Sequence, residues 1–109
     1  MNCTARINAG VCGFTTRVTA DSPDDQMVRL EIETDCQKIA ALAAALNGKE
    51  IDGYQEIADG FGGVVMSAAR SSLSGCCAGC VVPAGIFKAL QVAARVALPK
   101  DPSITFTAG

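Results

Sequence analysis

The sequence contains no histidine. That absence removes the commonest general base, the Ser-His and Cys-His nucleophile pairs and every zinc site built with imidazole, and much hydrolase chemistry goes with them. An excess of positive charge is also lacking, since nine Lys+Arg stand against eleven Asp+Glu for a net charge of −2. Without clustered Lys and Arg the release of counterions has nothing to drive it, so nucleic acid is not an expected partner. The N-terminus, Met1 to Arg6, shows no charged segment leading into an apolar run and hence no signal-peptide pattern. The longest nearly unbroken apolar stretch reads as Ile39 to Leu46, against roughly 20 residues for a membrane span, so no membrane helix is expected. A cytoplasmic chain with reduced thiols follows as the expectation. Internal repeats, low-complexity tracts and linkers are missing too, which leaves residues 1–109 as a single domain.

What is present is apolar and small. Half of the residues are hydrophobic, enough for a packed core, but 18 residues of the chain are alanine. A core with so many methyl groups gains its last increment of stability from close helix packing, self-association or a bound metal.

Residues alternate in polarity over Cys3–Ala9, Phe14–Ala20 and Met27–Thr34. Ala5, Ile7, Phe14, Val18, Val28, Leu30 and Ile32 fall on one parity and Arg6, Arg17, Arg29, Glu31 and Glu33 on the other, a period of two that predicts three half-buried strands. The short connections at 10–13 and 21–25 favour an antiparallel meander. Asp35 then reads as an N-cap for a helix over Cys36–Asn47, with Ile39, Leu42, Ala43 and Leu46 on one stripe. A looser stretch, Lys49–Gly63, carries a short helical turn at Tyr54–Asp59 and a flexible glycine loop around Phe61. A second helix is expected over Val64–Leu73 and a largely buried one from Pro83 to Leu98. Alternation of Ile104 and Phe106 with Ser103, Thr105 and Thr107 predicts a last strand. The sum is an α+β two-layer sandwich in which a three-strand meander plus a C-terminal strand is covered by helices on one face.

The carboxylates read as a solvated surface with no acid/base pair among them. The run Asp59–Gly63 has neither the spacing of a dinucleotide fingerprint nor the Lys-Ser/Thr of a P-loop. That leaves six cysteines. Cys3 on a strand is most simply a small apolar residue. Cys12 is bracketed by Gly10 and Gly13, Cys36 opens a helix, and Cys76, Cys77 and Cys80 precede another. Thiols beside a helix N-terminus feel unpaired N–H groups and the positive end of the macrodipole, both of which favour the thiolate that binds metals or attacks disulfides. Cys77-Ala-Gly-Cys80 is formally a C-x-x-C. It follows no buried strand of a βαβ unit, as a thioredoxin-like pair would, and no second C-x-x-C completes a four-cysteine site. Single cysteines, Cys12 and Cys36, would have to supply the missing ligands.

The segments Gly10-Val-Cys-Gly-Phe-Thr15, Thr34-Asp-Cys36 and Cys80-Val-Val-Pro-Ala-Gly-Ile-Phe-Lys-Ala-Leu90, with Ala97-Leu-Pro-Lys-Asp101 beyond, resemble a small family of uncharacterised single-domain proteins from bacteria and archaea, many of them anaerobes. The resemblance spans nearly the whole chain. It implies that Cys12, Cys36 and Cys80 belong to one site. Relatives often carry a histidine a few residues before the last of these, where this chain has Cys76 and Cys77 instead, so one of that pair stands as the fourth ligand.

Three readings stay open on the sequence. The first is a metal- or Fe–S-binding module using Cys12, Cys36, Cys80 and Cys77 (or Cys76), with zinc, Cu(I) or an iron–sulfur cluster as the ion that all-thiolate ligation selects. The second is a thiol redox or sulfur-transfer centre with Cys80 or Cys36 as nucleophile. The third is a structural protein that self-associates. For the last, a helix-mediated homodimer is expected through the small surface of Ala40, Ala41, Ala44 and Ala45, or through that near Val92 and Val96.

Overall fold

In the computed structural model, which describes residues 1–109, the chain is a four-stranded antiparallel sheet with helices on one face. The strands are β1 (Asn2–Asn8), β2 (Thr15–Asp21), β3 (Met27–Thr34) and β4 (Glu50–Asp52), in the spatial order β1-β2-β3-β4. The helices are α1 (Gln37–Leu46), α2 (Gly53–Asp59), α3 (Val64–Ser72) and α4 (Val82–Ala93).

The period-two pattern becomes the pairing. Inner pairs Val18↔Ile32 and Ala20↔Leu30 meet under the helices, while Arg17↔Glu33 and Asp21↔Arg29 face water as opposite charges across the ladder. Val18, Ala20, Val28 and Leu30 are fully buried against Ile39, Leu42 and Leu46 of α1 and Ile86 and Leu90 of α4. Each such Val, Leu or Ile contributes roughly 1.5–3 kcal/mol by leaving water. α4 lies across β1 and β2, and Gly85 leaves the space that the Ile7 side chain fills.

Several expectations are corrected. The fourth strand is Glu50–Asp52, not 103–107; three residues are too few for an alternation to register in the sequence. Residues 94–109 form no helix or strand, and Ile104 and Phe106 stand in solvent. α4 ends at Ala93 because Arg95 takes a left-handed backbone (φ 61°), and the Val96 N–H closes the helix end on the Gln91 carbonyl at 2.9 Å. Phe14 lies outside β2 and is exposed. α1 starts one residue later than expected. Cys36, not Asp35, holds its N-cap position, and the cap is not made by its own side chain. The apolar run is also longer than expected: Gly75–Ala93 spans 19 residues at a mean hydropathy of 1.6, the length and composition of a membrane span. In the fold it divides into a turn and the 12-residue α4, whose Val82, Ile86, Ala89, Leu90 and Ala93 form core.

The carboxylates include one exception to the solvated surface. Glu56 in α2 is 2% exposed and accepts hydrogen bonds from Val64 and Val65 N–H, both at 2.8 Å. It caps α3 from eight residues upstream, and Gly63 has no side chain to block it. The glycine run expected as a flexible loop is thus a 3-10 turn (Gly60–Gly62) leading into that cap.

Asp24 and Asp52 are ordinary surface caps. Asp24 accepts from the Gln26 and Met27 N–H groups, and Asp52 from those of Gln55 and Tyr54 as well as the Gln26 side chain. These bonds favour the charged form, Gln26 N–H foremost for Asp24 and Gln55 N–H for Asp52, and hold both carboxyls below the usual aspartate range. A lowered folded-state value contributes stability that is present above the unfolded value and is lost as pH falls through the folded one. Carboxyl titration by NMR is therefore expected to give midpoints for both below about 3.9, with their share of stability lost only in acid under that value. Midpoints at or above it would contradict these caps.

Candidate functional site

The strand register decides which end of the sandwich each cysteine occupies. Ile7 pairs with Thr16 and Thr16 with Thr34, the two threonine hydroxyls lying 2.9 Å apart. The β1–β2 turn that carries Cys12 and the β3–α1 junction that carries Cys36 therefore share one end. α4 begins at that end too, because Gly85 rests on Ile7, whereas Ala94 and Val28 meet at Gly53 at the far end of the sheet. The turn before α4 lies beside the start of α1, where Lys38 Nζ reaches the Ser74 carbonyl at 3.5 Å. Five cysteines are thus brought to one end. Cys3 pairs with Ala20 instead, four residues or about 13 Å along β1 from Ile7.

Local structure explains how each thiol is held. Cys12 is exposed in a 3-10 turn (Gly10–Cys12), which needs left-handed glycines at both ends, Gly10 at φ 82° and Gly13 at φ 75°. Cys36 is half-buried; its N–H donates to Thr34 Oγ1 at 3.2 Å and its carbonyl accepts the first helical bond, from Ala40. Gly75–Gly79 is likewise a 3-10 turn, with Cys76 exposed and Cys77 and Cys80 half-buried. The Cys80 N–H donates to the Cys77 carbonyl at 3.1 Å, so the C-x-x-C closes as a tight turn. Neither Cys36 nor Cys80 lies within the first helical turn proper: Cys36 is at the N-cap and Cys80 one residue before the N-cap of α4.

All six cysteines are free thiols. No three cysteine or carboxylate side chains are gathered closely enough to hold a metal ion. Cys12, Cys36, Cys80 and Cys77 or Cys76 consequently share an end of the fold without forming a coordination sphere. Burial pushes the Cys3 thiol up, which lowers its thiolate fraction and its reactivity. Cys3, Cys36 and Cys80 all touch the core.

A cleft of about 330 Å³ that no sequence pattern announces lies between α3 and the start of α4, lined by Phe61, Met66, Leu73, Pro83, Arg70 and Cys80 among others. Arg70 of α3 folds across its rim to donate to the Phe61 carbonyl at 2.8 Å. The only sequence signal was an isolated phenylalanine among glycines, which no periodicity connects to Cys80.

No curated protein and no solved structure matches this chain. The model of a family of unknown function (DUF6951) matches residues 3–106, and with that span the chain belongs to the family.

Proposed function

We propose that the chain is a cysteine-ligated metal-binding module that takes zinc, Cu(I) or an iron–sulfur cluster through Cys12, Cys36, Cys80 and either Cys77 or Cys76. The observation that supports it is the shared position of the β1–β2 turn, the start of α1 and the turn before α4 at one end of the sandwich. Cys12 and Cys76 sit exposed on 3-10 turns outside the core cluster, so closing them on an ion bends turns and leaves the packing intact. Structural zinc sites gain about 10–16 kcal/mol in apparent binding free energy, well above the cost of reshaping two turns. The donor set is all sulfur, which selects soft ions over magnesium or calcium.

A second reading is favoured by one specific contact, the Cys80 N–H to Cys77 carbonyl bond that closes the C-x-x-C. In it the two thiols oxidise to a disulfide, giving two electrons and two protons to an external acceptor such as a disulfide.

Metal analysis with a UV–visible spectrum on protein purified anaerobically separates the two. Stoichiometric zinc, or the charge-transfer bands of a cluster, is expected from the unmodified chain. Cys12→Ser and Cys36→Ser should each lose most of it, and Cys3→Ser should keep it. Metal-free protein whose Cys77 and Cys80 cycle between dithiol and disulfide in a defined potential range would replace the first reading by the second. Absence of both behaviours would leave self-association or partner binding as the function.

A further inference from the structure

Independently of the thiols, the fold leaves an open strand edge and a strand-like segment with nothing to pair with. β1 forms one border of the sheet, and its seven residues, Asn2–Asn8, contain no proline and a single charged side chain, Arg6. The Met1 carbonyl accepts from Ser22 N–H and Ala9 N–H donates to the Phe14 carbonyl, so the odd-numbered residues of β1 bond to β2. The N–H and C=O groups of Asn2, Thr4, Arg6 and Asn8 then point out of the sheet. The inner-face residues Cys3, Ala5 and Ile7 are only half-buried, whereas Val18, Ala20, Val28 and Leu30 on the neighbouring strands are at 0% exposure. The β1 border thus lacks hydrogen-bond partners on its outer side, and α4 covers its inner face only in part. An edge of this length without a protective device is a template for another strand.

Beyond α4, Ser103-Ile-Thr-Phe-Thr107 alternates apolar and polar residues, is built from types that favour strands and carries no charge. Ile104 is 67% and Phe106 90% exposed. We propose that this segment of one copy adds as a fifth, antiparallel strand to the β1 edge of a second copy, each chain lending its tail to the other. Ile104 and Phe106 then cover the half-exposed row of Cys3, Ala5 and Ile7.

A second copy is favoured over the chain's own β1 by direction. Arg95 Nε and the Met1 amine both contact Asp25, at 3.0 and 3.3 Å, so the tail leaves the body beside the start of β1. Folded back on its own chain it would run along β1 in the same direction, as a parallel strand; a symmetric partner presents the edge antiparallel, like every other pair in this sheet. Pro99 and Pro102 stiffen the link. The molecule measures 46 Å along its longest axis against 26 and 24 Å across.

Sedimentation velocity on the full chain between about 10 and 500 µM tests this, since the dimer fraction must follow concentration by mass action. A dimer is expected at the upper end. Phe106→Asp, in the tail, and Thr4→Pro, which removes an outward N–H unused by its own chain, should each weaken it by at least about tenfold. Mixing the two variants should restore a heterodimer, because one sound tail then meets one sound edge. Ala44→Glu on α1 should change nothing. Amide exchange on the unmodified chain is the check that needs no variant: Thr4 and Arg6 N–H groups should gain protection as concentration rises. A monomer throughout, a dimer abolished by Ala44→Glu, a dimer indifferent to Phe106→Asp, or protection of Thr4 and Arg6 already present in the monomer would each overturn the proposal.

Discussion

Replacing Glu56 by alanine is expected to destabilise the fold by about 3 kcal/mol, as hydrogen bonds to a charged group are worth roughly 1.5–3 kcal/mol each and two are lost. The carboxylate is the sole partner of Val64 and Val65 N–H at the start of α3, and α3 has no other cap from a side chain. Removing it leaves two donors facing the space vacated beside Gly63 and loosens the helix that carries Val65 and Ala69 into the core. Glu56→Gln keeps one accepting oxygen and turns an NH2 toward an N–H, so about half of the loss is expected. Gly63→Ala should mimic much of it, since a Cβ there would stand 2.5 Å from Glu56 Oε2. Because both changes break one cap, they should not add: on the Glu56→Ala background Gly63→Ala should cost little more. Urea denaturation of the three single variants and the double variant checks this. A Glu56→Ala loss under about 1 kcal/mol would mean that water replaces the carboxylate.

Asn47→Ala is the second large effect, expected at about 2 kcal/mol, the typical worth of two net hydrogen bonds in a partly buried setting. β4 covers only Met27–Arg29 of β3, and further along that border the Asn47 side chain takes the place of a strand. Its Oδ1 accepts from Ile32 N–H at 2.7 Å and its Nδ2 donates to the Ile32 carbonyl at 3.2 Å. The Gly48 N–H to Leu30 carbonyl bond fills the gap between that amide and β4. Asn47→Asp should also destabilise, because it replaces the donor by a carboxylate oxygen facing a carbonyl. Hydrogen exchange gives the sharper readout: Ile32 N–H should lose protection more than its neighbours. Uniform change across β3 would assign the loss to global stability alone.

The three long strands and α1, α3 and the start of α4 were legible because burial on one face imposes a period of two or of 3.6 on the sequence, and both periods are local. Val18, Leu30, Ile39, Leu42 and Leu46 could be assigned inward from that alone, and they are core. Elements too short to repeat their period, such as the three-residue β4, left no pattern. The tail 103–107 left a clear one, yet it is no strand within this chain, because alternation reports what a segment can pair as and not whether an edge is in reach.

What the sequence determined by itself is the α+β class, the antiparallel meander, the inward parity of the strands and an inventory of reactive groups reduced by the lack of histidine to thiols and carboxylates. These follow from composition and from short-range periodicity. Tertiary structure alone decided that Cys12, Cys36 and the Cys76–Cys80 turn come to one end while Cys3 goes to the other, since that depends on strand register and on the direction of α4 over β1. It alone decided that Glu56 is buried, because its partners lie on the next helix. It also decided that these thiols share an end of the fold without forming a coordination sphere. Sequence spacing constrains which residues can share a turn of helix or a face of a strand; side-chain convergence between distant segments is set by how the packed elements cross.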